Sequence, residues 1–220
     1  GIPDWVYEEE FSTNRSMVFT ADSKQIVWIK YDESKVKEFT FPWFKGANPS
    51  RDEYLTYPGS YVYKYPKAGE DNSKVAVYSF DIKSRKTRKM EVPLDEDGYI
   101  PRITMTSDPT KVAVFTMNRH QDDMRIYMVN PLTTIAKLAV QDKVEKYVKQ
   151  EAMCAVTFTD NHILVPSDRD GFTHLYLYTL NGQLKRRVTK GNIEVTDVYG
   201  MDEKTGDVYY AANFIGPQDK

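Results

Sequence analysis

A strand, a turn centred on aspartate and a second strand recur along the 220 residues, and no other feature restricts the fold as tightly. The unit runs from Met17 to Ile29 around Asp22 and from Ile103 to Phe115 around Asp108. Looser copies run from Ala155 to Val165 around Asp160, and from Val198 through Asp202 and Gly206 to Tyr210. Asp, Asn and Ser suit such turns because their side chains cap backbone donors, and Gly because it accepts positive φ. Further strands follow the hairpins: Arg125–Val129 leads to Ala136–Val140, and His174–Tyr178 turns at Asn181-Gly182 into Leu184–Val188. The turn aspartates are 52 residues apart from Asp108 to Asp160 and 42 from Asp160 to Asp202. A four-stranded propeller blade takes roughly 40 to 50 residues. The expected fold class is therefore all-β: a partial β-propeller over residues 17–220, with about three to four four-stranded blades.

From Asp22 to Asp108 the spacing is 86, one blade plus roughly forty residues, so the first blade carries an insertion at about residues 36–72. It holds Phe41-Pro42-Trp43-Phe44 and Tyr65-Pro66-Lys67-Ala68-Gly69. Thirty Lys and Arg against thirty-two Asp and Glu give a net charge of −2, which leaves no polycationic footprint for nucleic acid. No apolar stretch approaches the roughly 18 residues that would cross a bilayer. The single cysteine, Cys154, lies in Ala152-Met153-Cys154-Ala155-Val156 and is expected as a small buried residue rather than a nucleophile. Gly1 stands just ahead of an acidic motif and Lys220 just after a strand-like segment, so a piece of a longer protein is expected.

That acidic motif is Asp4-Trp5-Val6-Tyr7-Glu8-Glu9-Glu10-Phe11, with three consecutive carboxylates behind two aromatic residues. Two like charges about 4 Å apart repel by roughly 4 kcal/mol at an effective dielectric near 20. A fold that holds them together either leaves them in water, on a solvated helix face or loop, or brings them a cation. Trp5 and Tyr7 are expected to anchor the segment by packing.

Three segments occur in order: the acidic run 4–11, Tyr31-Asp32-Glu33-Ser34-Lys35-Val36, and Tyr65-Pro66-Lys67-Ala68-Gly69-Glu70-Asp71-Asn72. Together they resemble the β-propeller of the dipeptidyl peptidase IV family, among the prolyl oligopeptidase-like serine peptidases, and the turns are similar to those of bacterial members. Ser167-Asp168-Arg169-Asp170-Gly171-Phe172 adds a blade signature shared with related propellers. The resemblance covers essentially the whole chain. It implies an eight-bladed propeller capping an α/β-hydrolase domain that carries a Ser-His-Asp triad. No Gly-x-Ser-x-Gly elbow occurs here, so no catalytic residue is assigned and the chain alone is expected to be inactive. By matching positions, the resemblance makes residues 1–16 a substrate-anchoring segment in which Glu9 and Glu10 bind the free α-amino group of peptides. The physics agrees: an α-amino group of pKa about 7.7 to 8.0 is largely cationic at neutral pH, where a glutamate is ionised.

No cofactor and no metal are implied. The partners implied are peptides with a free N-terminus, the α/β-hydrolase domain of the same protein, and a second copy bound through the inserted arm. The implied location is the periplasm or cell envelope. Ser73 departs from the family, which often has Pro after the Asn, at what reads as a loop position. Some members carry an Arg-Phe element at about Glu145 to Gln150, and no equivalent occurs here. The competing reading is a non-catalytic propeller that binds a protein partner with the insertion as its contact arm. His120, His162 and His174 are expected in separate blades without carboxylate or cysteine partners at metal-ligand spacing. Gly59-Ser60 reads as a turn, and Lys185-Arg186-Arg187 as a charged edge strand that guards against aggregation.

Overall fold

The computed structural model describes residues 3–44, 57–214 and 216. The chain divides into two compact units, Gly1–Asn14 with Tyr31–Lys74, and Arg15–Lys30 with Val75–Lys220.

In the first sheet the chain pairs β1 (Met17–Phe19) with β2 (Gln25–Asp32), makes a separate hairpin of β3 (Glu38–Trp43) and β4 (Gly59–Lys64), and returns as β5 (Lys74–Asp81) and β6 (Lys86–Lys89). The sheet order is β1-β2-β5-β6, so the excursion falls between the second and third strands of one blade. The second sheet consists of β7 (Tyr99–Met105), β8 (Val112–Met117), β9 (Asp123–Val129) and β10 (Ala136–Lys143). The third holds β11 (Thr157–Phe158), β12 (His162–Ser167), β13 (His174–Thr179) and β14 (Leu184–Arg187), and a two-stranded sheet of β15 (Glu194–Met201) and β16 (Val208–Asn213) follows. The second and third sheets are up-and-down antiparallel meanders, as in the blades of a propeller. The fold is therefore all-β and a partial propeller, with the insertion in its first blade.

Pairing follows the hydrophobic pattern. Central β8 is buried at every residue, whereas edge strand β14, which carries the basic triplet, is exposed at every residue. Three of the four aspartate turns are built as the sequence predicts, whereas in the Asp160 turn Glu203 and Thr159 Oγ1 take the backbone N–H groups of Asn161 and His162. Asp22 Oδ1 accepts from the Lys24 N–H at 3.2 Å, Asp108 Oδ1 from Thr110 at 2.9 Å, and Asp202 Oδ1 from Lys204 at 2.8 Å. Successive sheets of the larger unit pack directly. The Phe115 and Phe158 rings meet edge to face at 6.1 Å, and Ser79 Oγ donates to the Pro131 carbonyl at 2.6 Å. Leu164, Leu175, Leu177, Val195 and Ala212 form one buried cluster from β12 to β16. At the tip of the turn into β14, Gly182 has φ of +92°, and a Cβ there would sit 2.9 Å from the Ala139 carbonyl of β10. Only glycine satisfies both demands.

Several expectations need correction. Residues Gln150–Cys154 form a short helix, α2 below, and Cys154 is exposed at its end rather than buried. Gly59-Ser60 opens β4, paired with Trp43 and Pro42, instead of turning. His162 and His174 lie on adjacent strands of one sheet, and His162 Nδ1 sits 2.9 Å from Glu203 Oε1. That carboxylate also accepts from Thr159 Oγ1, the Asn161 N–H at 3.0 Å and Asn161 Nδ2 at 2.6 Å, thereby binding one hairpin turn to the next. Among the described residues no helix is long and apolar enough to cross a membrane.

Candidate functional site

The acidic segment folds as helix α1 (Trp5–Phe11), in the smaller unit. Asp4 is its N-cap: the backbone there is extended, and Oδ1 accepts the Tyr7 N–H at 2.9 Å. Val6, Tyr7 and Phe11 are buried, with the Tyr7 and Phe11 rings 5.5 Å apart at helical i, i+4 spacing. The helix stops at Ser12, whose φ of 47° is left-handed, and the Tyr7 carbonyl receives the Ser12 and Thr13 N–H groups. Three glutamates remain, and all of them are exposed. Glu8 lies in the first turn, where the helix dipole favours a carboxylate. Glu9 and Glu10 follow it into the last turn, where the dipole is negative and no basic residue is present.

A seven-residue helix does not hold itself together in water, so its tertiary contacts decide whether it forms. The three segments that carry the family resemblance supply them. The Trp5 ring lies 4.0 Å from Tyr65, and Tyr7 meets Tyr31 edge to face at 4.9 Å. Trp5 and Tyr7 are thus packing anchors. Tyr65 in turn contacts Phe39 at 5.9 Å and Phe41 at 5.7 Å on β3. Lys67 Nζ lies over the Phe39 ring at 4.4 Å, and Lys37 pairs with Glu70 at 2.6 Å. Asp4 Oδ2 accepts the hydroxyl of Ser73, which is buried. Ser73 is therefore no indifferent loop position, and the sequence offered no sign of its role because its partner lies 69 residues away.

The electrostatics around α1 are negative. Burial pushes the Glu33 carboxyl up, and Asp4 adds to that rise while Lys64 opposes it. The Tyr63 phenol is likewise raised, first by burial and then by the Glu8 carboxylate. Both groups are driven towards the neutral form, first by burial and then by the neighbouring carboxylates. Among the described residues no group of three or more His, Cys, Asp or Glu is placed to hold a metal ion.

In the larger unit, a cleft of about 220 Å³ lies between α2 (Gln150–Cys154) and β15. Its cation, Lys149, is already engaged by Glu194 Oε1 at 2.6 Å and Thr173 Oγ1 at 3.0 Å.

Four-stranded sheets in series, with an excursion inserted in the first of them, define a partial β-propeller. Residues 1–220 match the family described as the dipeptidyl peptidase IV N-terminal region, and the chain belongs to that family. It is similar to a probable dipeptidyl peptidase 4 of Aspergillus flavus, 26% identical over 96% of this chain and 28% of that protein. A probable dipeptidyl-aminopeptidase B of Emericella nidulans is 29% identical over 100% of this chain and 26% of its own length. Among solved structures, Porphyromonas gingivalis dipeptidyl peptidase 4 is 40% identical, with a TM-score of 0.88 over 96% of this chain and 29% of that one. The chain thus spans less than a third of the length of these relatives.

Proposed function

We propose that this chain is the substrate-recognition propeller portion of a dipeptidyl peptidase IV-like serine exopeptidase that removes dipeptides from peptide N-termini. Glu9 and Glu10 hold the substrate ammonium, and a Ser-His-Asp triad on an α/β-hydrolase domain of the same protein cuts the bond. The observation that carries this is the placement of Glu9 and Glu10: adjacent, exposed, and in the last turn of a firmly seated helix that has no cation of its own. An ammonium there offsets one of the two negative charges, can donate to both carboxylates, and meets the negative end of the helix. Fixing the amine sets how far the chain reaches towards the nucleophile, so binding remote from the scissile bond determines which bond is cut.

In the full-length enzyme, Glu9→Gln or Glu10→Gln should lower kcat/KM for a free-amine dipeptidyl substrate by about 10- to 100-fold, the worth of one charge-assisted hydrogen bond. An unchanged kcat/KM in both variants would sink the assignment. A second role concerns the arm. Tyr61 and Val62 on β4 are exposed, as is Phe44 beyond β3, and these apolar side chains favour a contact with a second copy of the chain.

A further inference from the structure

We infer that Ser73 is a positioning residue for the Glu9 and Glu10 anchor, acting through Asp4; this rests on the amine-binding reading above. The Asp4 carboxylate is buried and its two oxygens have separate duties. Oδ1 caps the first turn of α1 at the Tyr7 N–H, 2.9 Å away, and Oδ2 receives the Ser73 hydroxyl. One side chain therefore starts the helix and also ties its entry point to Ser73, the residue just ahead of β5. The aromatic contacts of Trp5 with Tyr65 and of Tyr7 with Tyr31 fix how close the helix sits. Ring contacts tolerate sliding and rotation, whereas a hydrogen bond has a preferred direction.

Rotation is what the anchor cannot tolerate. Glu9 and Glu10 point about 100° apart around the axis, and their carboxylates lie roughly 6 Å from it. A rotation of about 10° therefore moves each by roughly 1 Å, and a displacement of that size at a positioning group costs up to about 100-fold in rate. Ser73 holds the rotation through the cap.

The test is made in the full-length protein with Ser73→Ala, read by kinetics and by amide exchange of the peptide covering residues 5–11. Exchange in α1 should quicken while exchange in β8 stays as in the wild type, and kcat/KM for a free-amine substrate should fall about tenfold. Ser73→Thr, which keeps the hydroxyl, should restore both. In a Glu9→Gln/Glu10→Gln background the Ser73→Ala effect on kcat/KM should shrink below about twofold, because the anchor it aims is already lost. Undiminished loss in that background, or unchanged exchange and kcat/KM in Ser73→Ala alone, overturns the inference. Neither result touches the amine-binding reading, which stands or falls on Glu9→Gln and Glu10→Gln in the wild-type background. Should Ser73→Ala fail to fold, Ser73→Cys, similar in size but a far weaker donor, carries the same readouts.

Discussion

Replacing Arg169 by Met should destabilise the protein at neutral pH and much less in acid. The guanidinium Nη2 lies 2.9 Å from Asp142 Oδ1, and Ser167 Oγ donates to the same oxygen at 2.7 Å. Arg169 Nη1 also donates to the Tyr178 hydroxyl at 2.7 Å, and the guanidinium carbon stands 4.4 Å from the centre of the Tyr176 ring. Asp142 is 1% exposed. Burial raises its carboxyl above the ordinary range even with Arg169 beside it. Met fills the volume of the arginine stem, so the change strands a buried carboxylate with little loss of packing. Breaking one side of such a pair costs about 3–5 kcal/mol, or a fall in Tm of roughly 6 to 20 °C for a chain of this size.

The pH dependence follows from proton linkage. A carboxyl whose folded pKa exceeds its unfolded value binds its proton more tightly in the fold, so its contribution to stability falls as pH rises between the two. Without Arg169 the folded value climbs further, and the deficit opens across that wider window. Urea unfolding of wild type and Arg169→Met at pH 7 and near pH 4.5 should show the gap closing in acid, and Asp142→Asn added to Arg169→Met should recover part of the loss at pH 7. A loss below about 1 kcal/mol, or a gap that does not change with pH, would refute the reasoning.

Burial works against ionisation of Glu203, but hydrogen bonds from Thr159, His162 and Asn161 outweigh it and hold its carboxyl down to about 2. Its folded value is below the ordinary 4.5, so its contribution is complete above that pH and is lost as pH falls towards about 2. Unfolding curves of wild type and Glu203→Gln should therefore converge between pH 6 and pH 2; a constant separation would count against the turn-to-turn tie. If the arm carries the proposed contact between copies, Tyr61→Glu with Val62→Lys should lower the sedimentation coefficient of the full-length protein relative to wild type, and equal coefficients would exclude the arm from such a contact.

The blades were legible because their signals are local. An apolar run, an aspartate two residues before the N–H it caps and a second apolar run are complete within about a dozen residues, as at Asp22 and Asp108. Helix α1 was legible in principle: Asp4 is a good N-cap, and Tyr7 and Phe11 are spaced i, i+4 ahead of it. The three glutamates at positions 8 to 10 interrupt that apolar spacing with charge. Ser73 and the His162–Glu203 contact were beyond reach for another reason. Their partners are 69 and 41 residues distant, and nothing in a serine or a histidine announces a particular carboxylate so far along the chain. The apolar neighbours of Cys154 resemble a strand, whereas the short helix buries Ala152 and Met153 and leaves the cysteine exposed at its end.

The arm leaves the first sheet from β2 and re-enters it as β5, and these two strands are hydrogen-bonded neighbours. Its two ends are thus separated by about one strand spacing, roughly 4.8 Å. An excursion so closely gathered at its root can be lengthened, trimmed or exchanged without re-threading the strands beside it. Inheritance can therefore treat the helix seat as a cassette, revised on its own while the repeat that carries it is copied unchanged.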